Sequence, residues 1–119
     1  MTTPITRQRD IESLKIAARW PDADKNTIVT LASRLAADSA DAEGYRYFAD
    51  LSAAQPDAAL PLSLAGFFQA RLGQDASGAL AKLDRAASAD LGLPQYFRGL
   101  ALTALPPDPG RAEIGRAHV

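Results

Sequence analysis

Leu60-Pro61-Leu62-Ser63-Leu64-Ala65-Gly66-Phe67-Phe68-Gln69-Ala70-Arg71-Leu72 is the stretch that decides how this chain folds. Its pattern returns 33 residues later: Pro61, Leu64, Gly66, Phe67 and Leu72 are echoed by Pro94, Phe97, Gly99, Leu100 and Leu105. A period of this length marks an array of stacked helix pairs, in which each pair buries its apolar face only against the next. Such arrays are scaffolds that bind other molecules more often than they do chemistry.

Working outward, seven helical segments separated by short breaks are expected. The first covers residues 5–19, with Ile11, Leu14, Ile16 and Ala17 as a rough apolar stripe. Trp20-Pro21 ends it, because the residue before a proline avoids the helical region. Asp22 and Asp24 offer N-caps for a second helix ending near Ala37, with Ile28, Leu31 and Leu35 on one face. Asp41 is placed as the N-cap of a third over residues 42–54, with Tyr45, Phe48, Ala49 and Leu51 turned inward. The fourth runs over residues 60–72, with Pro61 tolerated in its first turn and Gly73 as its stop. Asp75 or Ser77 caps a fifth to about Ala89, striped by Ala79, Leu80, Leu83 and Ala86. The sixth, over residues 94–105, repeats the fourth, and a seventh opens near Gly110. No alternating β-branched run and no hairpin dipeptide occurs, so the class is all-α. The short breaks make successive helices antiparallel.

The chain has 119 residues, enough for one domain with a modest core. A formal net charge of −1 gives no electrostatic reason to expect nucleic acid or an anionic membrane as partner. With no cysteine, disulfides and thiolate chemistry are excluded. The longest uncharged run, residues 58–70, is far short of the about 20 apolar residues of a membrane span. The polar N-terminus carries no secretory signal, so a cytoplasmic location is expected.

The tail reads differently from the rest. Ile114-Gly115-Arg116-Ala117-His118-Val119 is the translation of ATC GGA AGA GCA CAC GTC, a string within a widely used sequencing adapter, and a GAG codon for Glu113 supplies the adapter's preceding AG. Residues 113–119 are therefore expected to be adapter read-through. Residues 1–112 are then a single domain, the first part of a longer array or protein. His118, the one histidine, falls in that tail, so no histidine chemistry is built on it.

Catalytic patterns are missing. Residues 66–73 lack the lysine of a phosphate loop and lie inside a helix. No acid–histidine cluster has metal-ligand spacing, and no Gly-x-Ser-x-Gly elbow occurs. Asp84 and Arg85 read as a solvated face. No enzymatic activity and no cofactor are expected.

The helix–turn–helix unit of residues 60–91 resembles a tetratricopeptide repeat. Gly66 fits that family's helix-crossing position; Ala79, Leu83 and Ala86 fit the second-helix series if one residue is inserted after Gly73. The preceding unit has Ser33 at the crossing and Gly44, Phe48, Leu51 and Pro56 after it. The following unit offers Gly99 and Ala112. The first-helix tryptophan and tyrosine of the family signature are absent throughout. Physics supports the assignment independently: glycine inside a helix costs about 1 kcal/mol relative to alanine, and close approach of two backbones offsets it.

The resemblance implies a right-handed α-α superhelix of antiparallel helix pairs, with the N-terminal helix and Trp20 as a cap. It also implies a concave face that receives a peptide or partner helix. Mapped residue by residue, that face takes Ser63, Phe67 and Ala70 from one unit and Tyr96, Leu100 and Thr103 from the next, with Arg71 and Arg98 at the rim. A protein–protein interaction scaffold is the expected role. The alternative is an N-terminal accessory domain of a larger enzyme. Self-association through the C-terminal end is a further expectation. A second cluster, Tyr45-Arg46-Tyr47-Phe48, is read as core with one exposed tyrosine.

Overall fold

A computed structural model describes residues 4–20, 23–90 and 92–104, and the expected seventh helix, Leu105, Ala112 and residues 113–119 lie outside them. The described residues form six helices and no strand: α1 (Pro4–Ala18), α2 (Lys25–Ala37), α3 (Asp41–Ala54), α4 (Ala59–Leu72), α5 (Ala76–Ala89) and α6 (Leu93–Ala104). The all-α class and the six helix positions match the sequence reading to within a few residues.

The ends follow local chemistry. Asp24 caps α2 by accepting a hydrogen bond from the Asn26 amide at 2.9 Å. Asp75 caps α5 from a left-handed conformation (φ 46°), accepting from the Gly78 amide at 3.1 Å. Gly73 closes α4 at φ 71°, a backbone position that costs glycine nothing. Asp41 was expected as a cap; it is instead the first residue of α3, whose cap position is Ala40 with no side-chain bond. That leaves the Asp41 carboxylate for a partner on another helix.

α4 is the axis of the molecule. Every residue from Leu60 to Ala70 is buried, because α3, α5 and α6 all pack on this helix and α2 closes a further side. A helix apolar on all faces is stable only when surrounded. Phe68 lies against α3, its ring parallel to that of Phe48 at 5.9 Å between centroids. The ring sits so close to Gly44 that a Cβ there would fall 2.8 Å from three of its atoms. On the opposite side a Cβ at Gly66 would lie 2.9 Å from Leu83 Cγ and 3.0 Å from the Ala79 carbonyl. α4 and α5 therefore cross at Gly66, with Ala79 and Leu83 as the facing residues, as the sequence led us to expect.

Of the other two expected crossings, the one at Ser33 differs, and the helix expected to cross at Gly99 lies outside the described residues. Ser33 is exposed, and its neighbour Ala32 is the buried residue. Gly99 is exposed, and among the described residues a Cβ there would meet nothing within 4 Å. No described helix seats on that side of α6.

α1 packs along α2, and polar contacts join the pair to α3. Lys15 Nζ lies 3.0 Å from Glu43, the Tyr47 hydroxyl donates to the Lys15 carbonyl at 2.6 Å, and Gln55 Nε2 donates to the Arg19 carbonyl at 3.4 Å. These carbonyls belong to the end of α1 and the turn after it, where intrahelical partners run out. Trp20 does not cap the pair: it is 62% exposed, as is Ile16 at 67%, one turn before it.

Candidate functional site

A groove of about 350 Å³ runs between α2 and α6, over α4. One wall is Val29, Ala32, Ser33 and Ala36 of α2; the other is Tyr96, Phe97 and Leu100 of α6; Phe67 and Arg71 of α4 complete it. The walls do not pack on one another, so the space between them stays open. Its aromatic side is continuous: Phe67 and Phe97 lie 5.6 Å apart, Tyr96 and Phe97 5.4 Å, in tilted and edge-to-face geometry. Tyr96 and Leu100 are exposed, at 60% and 38%, on a helix whose neighbouring Phe97 and Ala101 are buried.

Of the eight residues assigned from sequence, Phe67, Arg71, Tyr96 and Leu100 come together here. The remaining four are placed otherwise. Ser63 is wholly buried, its hydroxyl donating to the Leu60 carbonyl at 2.8 Å, and Ala70 is 1% exposed. Both belong to the central helix, whose flank α2 and α6 cover. Arg98 does not reach the rim; it turns to α5, where its Nε donates to Asp84 at 2.6 Å. Thr103 is exposed, but its hydroxyl donates back to the Leu100 carbonyl, and it does not line the groove.

Arg71 is more than a rim charge. Its Nη2 donates to the Ala36 carbonyl at the end of α2 at 3.1 Å, a favourable place for a cation. Its Nε lies 2.8 Å from Asp41 Oδ1 at the start of α3; that oxygen accepts no hydrogen bond, so the pairing is electrostatic. The guanidinium also stands 5.6 Å from the centre of the Phe67 ring. One side chain thus ties three helices together and arrives in the groove already neutralised. α2's contributions were not read from sequence, because Val29 and Ala36 look like ordinary parts of an apolar stripe until α6 comes to face them.

A second hollow, of about 400 Å³, lies between α3 and the end of α4, lined by residues that include Tyr45, Arg46, Asp50 and Gln74. It corrects the reading of the aromatic–arginine cluster. Tyr47, not Tyr45, is the buried tyrosine, because α1 returns over it; burial raises its phenol pKa above the ordinary value, against the lowering effect of the Arg19 guanidinium beside it. Tyr45 is the half-exposed one, with Lys82 Nζ 5.9 Å from its ring centre. The hollow offers one aromatic and two opposite exposed charges, a less selective surface than the groove.

Among the described residues no group of acidic residues or histidines is arranged to hold a metal ion, and no helix is long and apolar enough to cross a membrane. No protein-family model, curated protein or solved structure matches the chain.

Proposed function

We propose that this chain is a non-catalytic interaction scaffold of tetratricopeptide type, which receives an apolar peptide or partner helix in the groove between α2 and α6. The observation that carries this reading is the pairing of Tyr96 and Leu100. Two large apolar side chains stand one turn apart, exposed, over a floor of buried aromatics. Exposed apolar clusters of this kind mark interaction sites, and aromatic residues set in a pocket supply most of the energy at such sites. The groove's one cation is internally paired, so recognition rests on shape and apolar contact rather than on gripping a carboxylate.

The test is selection of a random peptide library on the 119-residue chain. The winners are then measured against Leu100→Asp and against Arg85→Glu, an exposed change on α5. We expect enriched peptides to carry apolar anchors, to lose at least about tenfold in affinity on Leu100→Asp, the scale of losing one buried anchor, and to ignore Arg85→Glu. A library that yields no enrichment on the folded chain, or winners indifferent to Leu100→Asp, overturns the assignment.

A further inference from the structure

The two walls of the groove are held very differently. α6 packs closely on both α4 and α5, and α3, α4, α5 and α6 form one tightly packed body. α2 packs most on α1, and only lightly on α3 and α4. The α1–α2 pair shares the hydrophobic core of the body through Ile28, Leu31, Ala32 and Leu35, packs on it less closely than α3 to α6 pack on one another, and is tied to it as well by polar contacts such as Lys15–Glu43, Tyr47 to the Lys15 carbonyl, and Arg71 to the Ala36 carbonyl. Across the groove itself there is, among the described residues, one direct tie. Lys25, the first residue of α2, reaches Asp90, which joins α5 to α6; Nζ lies 3.8 Å from Oδ2.

Asp90 is prepared for this contact. Its other oxygen, Oδ1, accepts the Gly92 amide at 2.8 Å, which fixes the carboxylate at the start of α6 and leaves Oδ2 facing α2. Lys25 is 68% exposed on its side chain and, among the described residues, has no other ion-pair partner. We propose that Lys25 and Asp90 form a latch that sets the width of the groove, with the α1–α2 pair swinging against the α3–α6 body when the latch opens. A pair this exposed shifts an open–closed ratio by no more than about fivefold. That is the useful range for a latch: it narrows the groove at rest, and a partner charge arriving at that end can displace it. Salt acts in the same direction, because the screening length at about 1 M is about 3 Å, shorter than the span of the pair.

The inference rests on the groove being the working surface, but its test needs no ligand, so the two can fail separately. The chain has no cysteine. Spin labels on Ser33→Cys and Thr103→Cys, both exposed and one on each side of the groove, report its width by electron–electron distance measurement. In low salt the parent chain should give a narrow distribution. Lys25→Met, which keeps the aliphatic stem, should give a longer and broader one. The parent should move toward it at about 1 M salt, while Lys25→Met stays where it was. Arg34→Met breaks the Arg34–Asp10 pair, equally exposed but contained within the α1–α2 unit, and should match the parent. Superimposable distributions for the parent and Lys25→Met, a parent indifferent to salt, or an equal shift in Arg34→Met would each overturn the latch.

Discussion

Gly44, Gly66 and Gly99 all lie inside helices, yet adding a side chain should not act on all three with the same sign. An alanine Cβ at Gly44 would press into the ring of Phe68, which is fully buried and cannot withdraw; at Gly66 it would press on Leu83 and the α5 backbone. Overpacking of this kind costs typically about 1–3 kcal/mol, more than the helix-propensity gain of about 1 kcal/mol. Gly44→Ala should therefore lower the melting temperature, and Gly66→Leu should lower it further. Gly99→Ala meets open space among the described residues and should raise stability by about 0.5–1 kcal/mol. Thermal melts of the three variants decide this; a stabilised Gly44→Ala or a destabilised Gly99→Ala would contradict the packing described here. The Gly66 crossing could be read in the sequence, because the 33-residue echo and the Ala79–Leu83 series point at it together. The Gly44 contact could not, since nothing in the local sequence says that Phe68 of the next helix will turn its ring onto it.

At the scale of the element, α3 shows where helical periodicity runs out. Its own pattern supports one inward face, with Tyr45, Phe48, Ala49 and Leu51. The structure gives it three neighbours: α4, which takes Phe48, α2, and the end of α1, which takes the Tyr47 hydroxyl. Tyr47 is thereby drawn into the core with its hydroxyl on an α1 carbonyl that the helix itself leaves unpaired. Its raised pKa has a consequence for stability. The folded chain holds the phenol proton more tightly than the unfolded chain, so the stability this group contributes is complete below the ordinary tyrosine value of about 10 and is lost as pH rises through the higher folded value. Denaturant titrations of the parent and Tyr47→Phe should show this. The variant should be less stable near neutral pH by about 1 kcal/mol, the worth of one hydrogen bond. The gap should shrink above about pH 10, where the parent alone must release that proton. A gap that widens with pH would refute the assignment.

Over the whole molecule, the fold has a tight part and a looser part. α4 is enclosed by α3, α5 and α6, while α1 and α2 lean on them. Local opening free energy follows buried contact, so native-state hydrogen exchange should find the slowest amides in α4. Amides of α1 and α2 should exchange sooner, through an opening that leaves α4 and α5 protected. Equal protection of α2 and α4 at every denaturant concentration would mean a single cooperative unit and no separable pair.

The sequence by itself determined what short-range chemistry can dictate: the all-α class, six helices placed by caps, prolines and Gly73, and the α4–α5 crossing at Gly66. The resemblance to a tetratricopeptide repeat also pointed to part of the groove, because it implied Phe67, Arg71, Tyr96 and Leu100 on one face. Only the tertiary structure decided that Ser63 and Ala70 are covered, that Arg98 belongs to Asp84, that Arg71 is neutralised by Asp41 and the end of α2, and that Lys25 meets Asp90 across the opening. The reason is range. A helix period fixes which side chains share a face, but not how many neighbours that face will meet. Partners such as Lys25 and Asp90 stand 65 residues apart, where nothing in local spacing ties one to the other.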